Sequence, residues 1–566
     1  MNMESKRIVV IGGSAAGPKA ASRARRMDEN AQITLIQKSA DLSMASCGYP
    51  YYIGGFFNDR DQLLCSPAGV VRDSRFFWNA KKIETKVRTE VTSVDTKKRE
   101  VFYTNLETGE KGSLPYDKLI LATGATPRKP PVQGLELDGI TTLQSMQDAD
   151  FLRKVKDEGK IKKAVVIGGG LIGIETCEAL HLAGIEITII EMLPQLLTFL
   201  DMQMAKIVQN YIQTKANVIL ENGVSSFIGE NGKLTAVKLQ NGTEIPCELA
   251  VIAIGVVPNI NLAKQMGVEI GITGGIKVDR YMQTNIEHVY AVGDCVESNN
   301  LITGKPVHAP FGDLANLQGR VAGENVIKGH VKQFPGTIQT GICKVFDYGV
   351  GATGLSEQNA IRNGIEHYET VFNASLDKPG FMQGNLLITK LIVDKITRKI
   401  LGAQVIGPGD VSKQVAIWAM AIKAGMTVED MVNADLPYAP PYSLAIDHSI
   451  ATAHIMQNKL DGMMKSISAL KFKELLDKGE KMTLLDVRNP DEFENMRLGV
   501  GEILIPLGQL RKRIGELPSD KNIPVVTWCK ISLRGYEASI ILKANGFKNV
   551  IVLEGGIMSW PFAKEK

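Results

Sequence analysis

Residues 164–173 of the 566-residue chain read AVVIGGGLIG, an apolar run that passes directly into three glycines. The run 164–167 has the length and the β-branched composition of a buried strand, and a helical pattern follows it. Gly168, Gly170 and Gly173 therefore form a G-x-G-x-x-G turn between a strand and a helix. Such a turn lets backbone N–H groups and a helix N-terminus approach a pyrophosphate.

Glu191 ends the next strand, 18 residues after Gly173. Its carboxylate can accept hydrogen bonds from an adenosine ribose, and it repels a 2′-phosphate. The residues that follow, Met192, Leu193 and Pro194, include no arginine. We therefore expect this unit to bind NADH, with NADPH disfavoured.

The same pattern occurs earlier in the chain, where residues 8–17 read IVVIGGSAAG. Ser14 stands where the middle glycine belongs, and the next strand ends at Gln37 and Lys38 instead of an acid. Gln37 can still hydrogen-bond a hydroxyl, so we expect dinucleotide binding here too. The two units indicate duplication of a nucleotide-binding module. The other cofactor contacts predicted in this turn are Gly12, Ala16 and Gly17.

Two further runs, ATGA at 122–125 and YAVGD at 290–294, complete the pattern. In this order over residues 1–455, the motifs resemble the FAD-dependent pyridine nucleotide-disulfide oxidoreductases. The resemblance implies FAD in the first unit, NAD(P)H in the second, and a homodimer interface in a third segment. It also implies that the ribityl chain of FAD is bound by Asp294. The FAD contacts that these runs add are Ala122, Thr123, Gly124, Gly293 and Asp294.

Cys47 follows the second strand of the first unit, in the run 42–55, LSMASCGYPYYIGG. Reductases with two redox cysteines have Cys-x-x-x-x-Cys here, but Leu42 and Tyr52 occupy the positions five residues away. A single thiol must cycle as a mixed disulfide, a persulfide or a sulfenic acid. If Cys47 opens a helix beside an oxidised flavin, we expect its thiolate to be favoured.

This run resembles the single-cysteine branch of the family, which contains coenzyme A-disulfide reductases, NADH oxidases and NADH peroxidases. Members that handle peroxide place a histidine in the first glycine turn. Here the turn reads SAAGP at 14–18. The resemblance therefore disfavours peroxide or oxygen as the substrate.

The helix after the first glycine turn carries three cations spaced i, i+4 and i+7, which can share one face. They can hold the 3′-phosphate and pyrophosphate of coenzyme A, or they can form an ordinary solvated face. Resemblance to coenzyme A-disulfide reductases favours the ligand, because that family binds it at the matching positions. The predicted coenzyme A contacts are Lys19, Arg23, Arg26, Ser43, Ser46 and Lys81.

Residues 435–443, DLPYAPPYS, resemble the family's C-terminal signature, whose tyrosine reaches the active site of the partner subunit. Tyr438 matches that tyrosine, and its phenol can donate a hydrogen bond to a leaving thiolate. A second active-site tyrosine is usual in a Tyr-Tyr-Pro-Gly run, but residues 377–380 read DKPG. Substrate preference is therefore expected to differ from that of typical coenzyme A-disulfide reductases.

Residues 466–566 resemble a rhodanese domain, through LLDVRNPDEF at 484–493 and CKISLRGY at 529–536. The resemblance implies that backbone N–H groups after Cys529 form a cradle for a thiolate or persulfide, with Arg534 adding positive charge. Ser532 departs from the glycine common in these fusions, and MRLGVG at 496–501 replaces another usual run. An inactive rhodanese that serves for docking therefore stays open.

Charge and cysteine usage exclude several classes of partner. The 65 Lys and Arg exceed the 61 Asp and Glu by only four, so neither nucleic acid nor a membrane is expected as a partner. Seven scattered cysteines and seven histidines show no metal-ligand spacing. The cysteine pattern favours a reducing, cytoplasmic compartment.

The expected fold is α/β, with two Rossmann-like FAD/NAD(P)-binding domains, an α+β dimerisation domain and a C-terminal α/β rhodanese domain. The expected function is NADH-dependent reduction of persulfides or polysulfides, such as coenzyme A persulfide or disulfide, with the rhodanese delivering sulfane sulfur to Cys47. An NADH oxidase or peroxidase, and a sulfur-relay or docking protein, are the alternatives. The expected bounds are 1–115 with 246–328 (FAD), 116–245 (NAD(P)H), 329–455 (dimerisation), 456–465 (linker) and 466–566 (rhodanese).

Overall fold

The computed structural model describes residues 5–566, which form two compact units. The first unit contains the residues up to 194 together with 216–337, and the second contains 195–215 and 338–566. Both units combine sheets with flanking helices, as the predicted α/β class requires. Within residues 5–566, no helix combines the length and apolarity needed to cross a membrane.

The first unit is built on two parallel five-stranded sheets, one for each glycine turn. After their first residues, the central strands Arg7–Ile11 and Lys163–Ile167 are buried apolar runs, which is typical of parallel sheets covered by crossover helices. The first sheet has the order Val289–Ala291, Lys118–Leu121, Arg7–Ile11, Gln32–Ile36, Ile83–Lys86. The second has the order Asn217–Ile219, Glu186–Ile190, Lys163–Ile167, Leu249–Ile252, Ile140–Thr141.

Smaller antiparallel sheets and seven helices complete this unit. The two three-stranded sheets comprise Thr89–Asp95, Glu100–Asn105 and Lys111–Pro115, and Val224–Glu230, Lys233–Leu239 and Glu244–Pro246. The helices are Ala16–Met27, Tyr49–Gly54, Ser74–Lys81, Met146–Glu158, Leu171–His181, Asn261–Gln265 and Gly312–Lys328.

Two strands lie on the other side of the domain bounds expected from the sequence. Lys118–Leu121 pairs with Arg7–Ile11 in the first sheet, although the bound at 115/116 assigned it to the NAD(P)H domain. Leu249–Ile252 pairs with Lys163–Ile167 in the second sheet, although the bound at 245/246 assigned it to the FAD domain. Each observed boundary lies later in the chain than expected, because the chain adds one more strand to the first sheet or the second before it crosses to the other.

The second unit contains an antiparallel sheet and a parallel sheet. The antiparallel sheet has the order Gly341–Val345, Tyr348–Gly354, Ile400–Gly407, Leu386–Asp394, Tyr368–Leu376. The parallel sheet has the order Ser466–Ile467, Val550–Leu553, Val525–Trp528, Thr483–Asp486, Ile503–Leu504. The main helices are Met202–Ile212, Val411–Ala424, Val428–Val432, His448–Leu460, Ala469–Asp477, Pro490–Asn495, Leu507–Arg513 and Leu533–Ala544.

The connection between these two sheets is shorter than the linker expected at 456–465. Helix His448–Leu460 continues through the first half of that stretch. Its last turn is held in place because the Lys459 ammonium donates to the Thr370 carbonyl at 2.8 Å. Only residues 461–465 remain between this helix and the first strand of the parallel sheet.

His448 makes the second unit sensitive to acid. It is fully buried, and its ring nitrogens lie 2.6 Å from Ser375 Oγ and 2.7 Å from Thr389 Oγ1. Burial lowers the pKa of His448 from 6.5 to about 4, so between these values the unfolded chain binds the proton and the folded chain does not. Stability is therefore lost as pH falls through this window, by at most about 3 kcal/mol.

We expect His448→Gln to flatten the dependence of the unfolding free energy on pH over that window, measured by denaturant titration at several pH values. His454→Gln, which changes a partly exposed histidine of the same helix, is the matched control and should keep the wild-type slope. An unchanged slope in His448→Gln would assign the acid sensitivity to another group.

Candidate redox and sulfur-transfer sites

The first glycine turn is packed too closely for side chains at two positions. Gly12 has φ +112°, and a Cβ there would lie 2.0 Å from the Ala122 carbonyl oxygen. A Cβ on Gly17 would lie 1.9 Å from the Gly12 carbonyl oxygen. Gln37 Oε1 accepts a hydrogen bond from Gly13 N at 2.8 Å, so this side chain supports the turn itself.

Gly293 and Asp294 lie against this turn, as a shared FAD site requires. A Cβ on Gly293 would lie 3.0 Å from Ala16 Cβ. Burial raises the pKa of the Asp294 carboxyl, and no hydrogen bond from residues 5–566 to that carboxylate is found. An acceptor without a protein donor fits the hydroxyl groups of a ribityl chain, so the residues present suit FAD.

Thr123 and Gly124 join the two chain segments that cross between the sheets of this unit, one after Leu121 and the other after Ile252. Thr123 Oγ1 donates to the Asn259 carbonyl at 2.7 Å, and Asn259 Nδ2 donates back to the Thr123 carbonyl at 2.9 Å. Asn259 N also donates to the Gly124 carbonyl at 2.9 Å. These two predicted cofactor contacts therefore also join the crossing segments.

The second glycine turn repeats the geometry of the first. Gly168 has φ +108°, and its Cβ would lie 2.4 Å from the Ala253 carbonyl oxygen. Gly170 has open space where its Cβ would be, so a pyrophosphate can approach the backbone there. Glu191 accepts from Gly169 N at 2.7 Å and from Leu193 N at 2.9 Å. Each of its oxygens keeps a lone pair for a ribose hydroxyl.

Cys47 lies in the 3₁₀ turn Ser46–Gly48, immediately before helix Tyr49–Gly54. Its Sγ faces the start of helix Gly312–Lys328, because a Cβ on Gly312 would lie 3.7 Å from it. The residue is solvent-accessible and carries a free thiol. It is therefore reachable by a small sulfur compound.

The protein's own groups disfavour the thiolate that the sequence predicts at Cys47. Atoms packed around the side chain desolvate it, and this burial raises the pKa of the Cys47 thiol. The carboxylates of Glu175, Asp294 and Asp313 raise it further, while the backbone N–H of Cys47 lowers it. A group other than these, such as an oxidised flavin, would be needed to stabilise the thiolate.

Glu175 is a site residue that the sequence analysis missed. It lies in the helix after the second glycine turn, and Tyr51 Oη lies 3.4 Å from Glu175 Oε1. Burial raises the pKa of the Glu175 carboxyl to about 7, the Tyr51 hydrogen bond lowers it, and nearby Glu178 raises it. A carboxyl directly after the apolar run 171–174 was the available signal.

A cavity of about 410 Å³ opens between the first glycine turn and the segment that carries Cys47. Four cations line it and no acidic residue does. Burial lowers the pKa of the Lys81 ammonium, and Arg26 and Lys19 lower it further, so these charges lie within reach of one another. Four of the predicted coenzyme A contacts line it, Lys19, Arg26, Ser43 and Lys81, and so does Ser14, which was predicted as a cofactor contact.

Three predicted contacts are used differently in the structure. Arg23 does not line the cavity, because its guanidinium is paired with Glu324 and its Nε lies 3.1 Å from Glu324 Oε2. Ser46 also lies outside the cavity lining. Lys38 forms an exposed ion pair with Glu90 at 2.7 Å.

Arg72 is the fourth cation of the cavity, and the sequence analysis did not include it. Its Nε donates to the Leu64 carbonyl at 3.1 Å, which fixes the guanidinium stem. Burial lowers the pKa of Arg72. It lies far along the chain from the helix that carries Lys19 and Arg26, so spacing alone does not reveal it.

The loop after Cys529 connects the third strand of the rhodanese-like sheet to helix Leu533–Ala544. Cys529 is 1% exposed. Ser532 takes φ +82°, where glycine is usual, and its Oγ donates to the Leu553 carbonyl at 2.6 Å. That bond offsets part of the strain of a left-handed serine.

Arg534 is placed between an acid and the thiol. Its two terminal nitrogens donate to the two Glu492 carboxylate oxygens at 2.7 Å each. Glu492 raises the pKa of Arg534, and Cys529 raises it further. A fixed positive charge therefore lies beside Cys529.

Tyr438 lies in the segment that precedes helix His448–Leu460, and it is 54% exposed. The segment is anchored by Asp447, whose Oδ2 accepts from Ser443 Oγ at 2.8 Å. Lys413 Nζ also donates to the Tyr442 carbonyl at 3.2 Å. An exposed side chain on an anchored segment is free to meet another subunit.

The chain matches three family models. Residues 6–312 match the pyridine nucleotide-disulphide oxidoreductase model, and residues 340–450 match the dimerisation domain of that family. Residues 468–562 match the rhodanese-like domain.

Similar proteins span four fifths of the chain or more, and two solved structures span nearly all of it. A "NAD(P)H coenzyme A polysulfide/persulfide reductase" of Pyrococcus horikoshii is 35% identical, over 80% of this chain and 98% of its own. The NAD-dependent persulfide reductase from A. fulgidus superposes with a TM-score of 0.92 at 41% identity, covering 98% of this chain and 100% of its own. The reduced CoADR-RHD of Bacillus anthracis has a TM-score of 0.91 at 34% identity, covering 99% and 98%.

Proposed function

Because the chain belongs to the pyridine nucleotide-disulphide oxidoreductase family and carries a rhodanese-like domain, we propose that it is an NADH-dependent reductase of coenzyme A persulfide. The observation that carries this proposal is the cation-lined cavity beside the Cys47 segment. The P. horikoshii relative and the A. fulgidus structure, both named for persulfide reduction, support the substrate class.

The proposed reaction is RSSH + NADH + H⁺ → RSH + H₂S + NAD⁺, where RSH is coenzyme A. The Cys47 thiolate attacks the inner sulfur of the persulfide, the S–S bond breaks, and hydrogen sulfide leaves as a mixed disulfide forms. The first glycine turn and Asp294 would hold FAD, which would supply the two-electron chemistry that links NADH to reduction of this disulfide. In this proposal Tyr438 of the partner subunit gives its proton to the leaving sulfur.

The cavity supports coenzyme A as the carrier of the reacting sulfur. Coenzyme A bears a 3′-phosphate and a pyrophosphate, so four cations with no facing carboxylate complement its charge. Ser43 N donates to the Gly13 carbonyl at 2.7 Å, which ties the cavity wall to the first glycine turn. A ligand in the cavity is therefore close to the dinucleotide site and to Cys47.

The same residues support the remaining parts of the proposal. Glu191, with exposed Met192 and Leu193 beside it, supports NADH over NADPH. The match to a dimerisation domain supports a homodimer that Tyr438 completes. Seven free cysteines support a reducing cytoplasm. We propose the glycine turns and Asp294 as the cofactor contacts.

Lys81→Met is expected to raise the KM for coenzyme A persulfide by about 10-fold or more, because one of the four charges around the phosphates is lost. Lys82→Met is the matched control, since the Lys82 ammonium lies over the Trp78 ring at 4.9 Å and does not line the cavity. Steady-state kinetics with NADH at saturation measure both. Equal effects of the two variants on KM would show that the cavity does not bind the substrate.

The proposed function is tested by anaerobic oxidation of NADH with sulfide quantified, comparing coenzyme A persulfide, coenzyme A disulfide and inorganic polysulfide. We expect the persulfide to give the fastest turnover, with one sulfide released for each NADH. Turnover with the disulfide alone would make the protein a reductase of the thiol pool. No turnover with any of the three would favour the relay or docking alternative.

A further inference from the structure

Residues 553–559, called here the bridging segment, hold the loop that carries Cys529. Ile557 N donates to the Cys529 carbonyl at 3.0 Å, and Ser532 Oγ donates to the Leu553 carbonyl at 2.6 Å. A Cβ on Gly556 would lie 2.3 Å from the Cys529 carbonyl oxygen. These contacts attach the sulfur-carrying loop to the bridging segment.

The other side of the bridging segment is bound to the dimerisation domain through Glu554. This side chain is buried, and its Oε1 accepts from Lys459 Nζ at 2.7 Å. Its Oε2 accepts from Phe372 N at 3.2 Å. Phe372 lies in the antiparallel sheet, and Lys459 lies in the last turn of the helix that precedes the rhodanese domain. One buried carboxylate thus joins both domains.

Lys459 is held by two carboxylates, one from each domain. It lies 2.7 Å from Glu554 of the rhodanese domain and 3.1 Å from Glu369 of the dimerisation domain. Burial lowers the pKa of Lys459, but Glu554 and Glu369 outweigh it and raise the pKa above its ordinary value. Without Glu554, the buried Lys459 ammonium would keep a carboxylate partner only on the dimerisation domain, Glu369.

A second contact restricts rotation of the rhodanese domain. Gln203 Nε2 in helix Met202–Ile212 donates to the Ser559 carbonyl at the end of the bridging segment, at 3.1 Å. Asn210 Nδ2 of the same helix donates to the Pro561 carbonyl at 2.8 Å. Residues 461–465, by contrast, span at most about 17 Å when extended and do not define an orientation by themselves.

We propose that Glu554 is a positioning residue, which fixes the sulfur-carrying loop on the dimerisation domain so that the Cys529 persulfide meets its thiol acceptor in one orientation. The inference rests on the proposed function. In the transfer, the acceptor thiolate attacks the outer sulfur of the Cys529 persulfide. A new S–S bond forms on the acceptor, the old one breaks, and Cys529 leaves as a thiolate with no net oxidation. Fixed orientation raises the rate of such a step.

The test compares Glu554→Gln with Glu369→Gln, which removes the other carboxylate of Lys459 without touching the rhodanese domain. Three rates are measured on the full-length holoenzyme. They are sulfur transfer from thiosulfate to cyanide, NADH oxidation with preformed coenzyme A persulfide, and NADH oxidation driven by thiosulfate with catalytic coenzyme A. Hydrogen exchange over residues 553–559 reports the release of the bridging segment.

We expect Glu554→Gln to lower kcat of the thiosulfate-driven reaction by about 10-fold, with the KM for thiosulfate and the first two rates within about twofold of wild type. Hydrogen exchange over the bridging segment should rise in this variant alone. Glu369→Gln should match wild type in all three rates. Lys459→Met removes the ammonium that donates to Glu554 and should reproduce the Glu554→Gln result.

The proposal is overturned if the thiosulfate-driven rate is unchanged while the segment is released, because orientation then does not matter. It is also overturned if transfer to cyanide falls equally, because Glu554 then acts on the chemistry of Cys529 itself. If wild type fails with preformed coenzyme A persulfide, the proposed function fails. Single-turnover transfer of sulfur from Cys529 to coenzyme A then decides the positioning role, and equal rates in wild type and Glu554→Gln would reject it.

Discussion

Replacing Cys47 with serine is expected to lower NADH-dependent reduction of coenzyme A persulfide by about 10³-fold or more. A serine hydroxyl forms no mixed disulfide and carries no electron pair between sulfur compounds. No second cysteine can substitute locally, because Leu42 and Tyr52 occupy the positions where a dithiol partner would stand. Anaerobic NADH oxidation with quantified sulfide measures the loss.

The matched control is Cys65→Ser in the same unit, where Sγ contacts the Gly69 carbonyl at 3.5 Å. We expect this variant to keep the wild-type rate within about twofold, since no redox step is assigned to it. Sulfur transfer from thiosulfate to cyanide should survive in Cys47→Ser, which shows that the chain is folded. A Cys47→Ser enzyme with more than about a tenth of the wild-type rate would move the redox step to another residue.

The dinucleotide turns were predictable because their constraint is local. Gly12 and Gly168 each end a strand with φ above +100°, and a Cβ at either would collide with the carbonyl of a neighbouring strand. Only glycine meets that requirement at low energy, so the motif predicts the local structure. The predicted α/β class and the family are confirmed for this reason.

Local spacing does not reveal groups whose partners lie far along the chain. Arg23 shares a helical face with Lys19, but its partner is Glu324, 301 residues away, and no local spacing reveals it. The domain bound at 115/116 was misplaced because Lys118–Leu121 pairs with Arg7–Ile11 across more than a hundred residues. Residue type predicted which groups carry charge, but only the fold decides which charges are already neutralised.

The candidate sites also contain residues that a motif reveals and residues that only the fold reveals. Motifs single out Cys47 and Cys529 as candidates, but not Arg72 and Glu175, whose surroundings depend on burial and on neighbours from other segments. Burial raises the pKa of Glu175 to about 7, and a sequence alone does not give burial of a single carboxyl. The contact of Glu554 with Lys459 is likewise visible only once the two domains are in place.

Replacing Cys529 with serine is expected to lower sulfur transfer from thiosulfate by about 10³-fold or more, because a hydroxyl cannot hold sulfane sulfur as a persulfide. Arg534 lies between Glu492 and Cys529, and its fixed charge favours the thiolate and persulfide anions. The variant should fold normally, since one buried sulfur is exchanged for a slightly smaller oxygen. Transfer to cyanide measures the loss.

Cys529→Ser should nevertheless reduce preformed coenzyme A persulfide at the wild-type rate, because that step uses Cys47. The two variants then control each other: Cys47→Ser keeps transfer and loses reduction, and Cys529→Ser does the reverse. NADH oxidation driven by thiosulfate needs both residues and should collapse in each. If Cys529→Ser keeps the thiosulfate-driven rate, the rhodanese domain delivers no sulfur, and its fold serves docking alone.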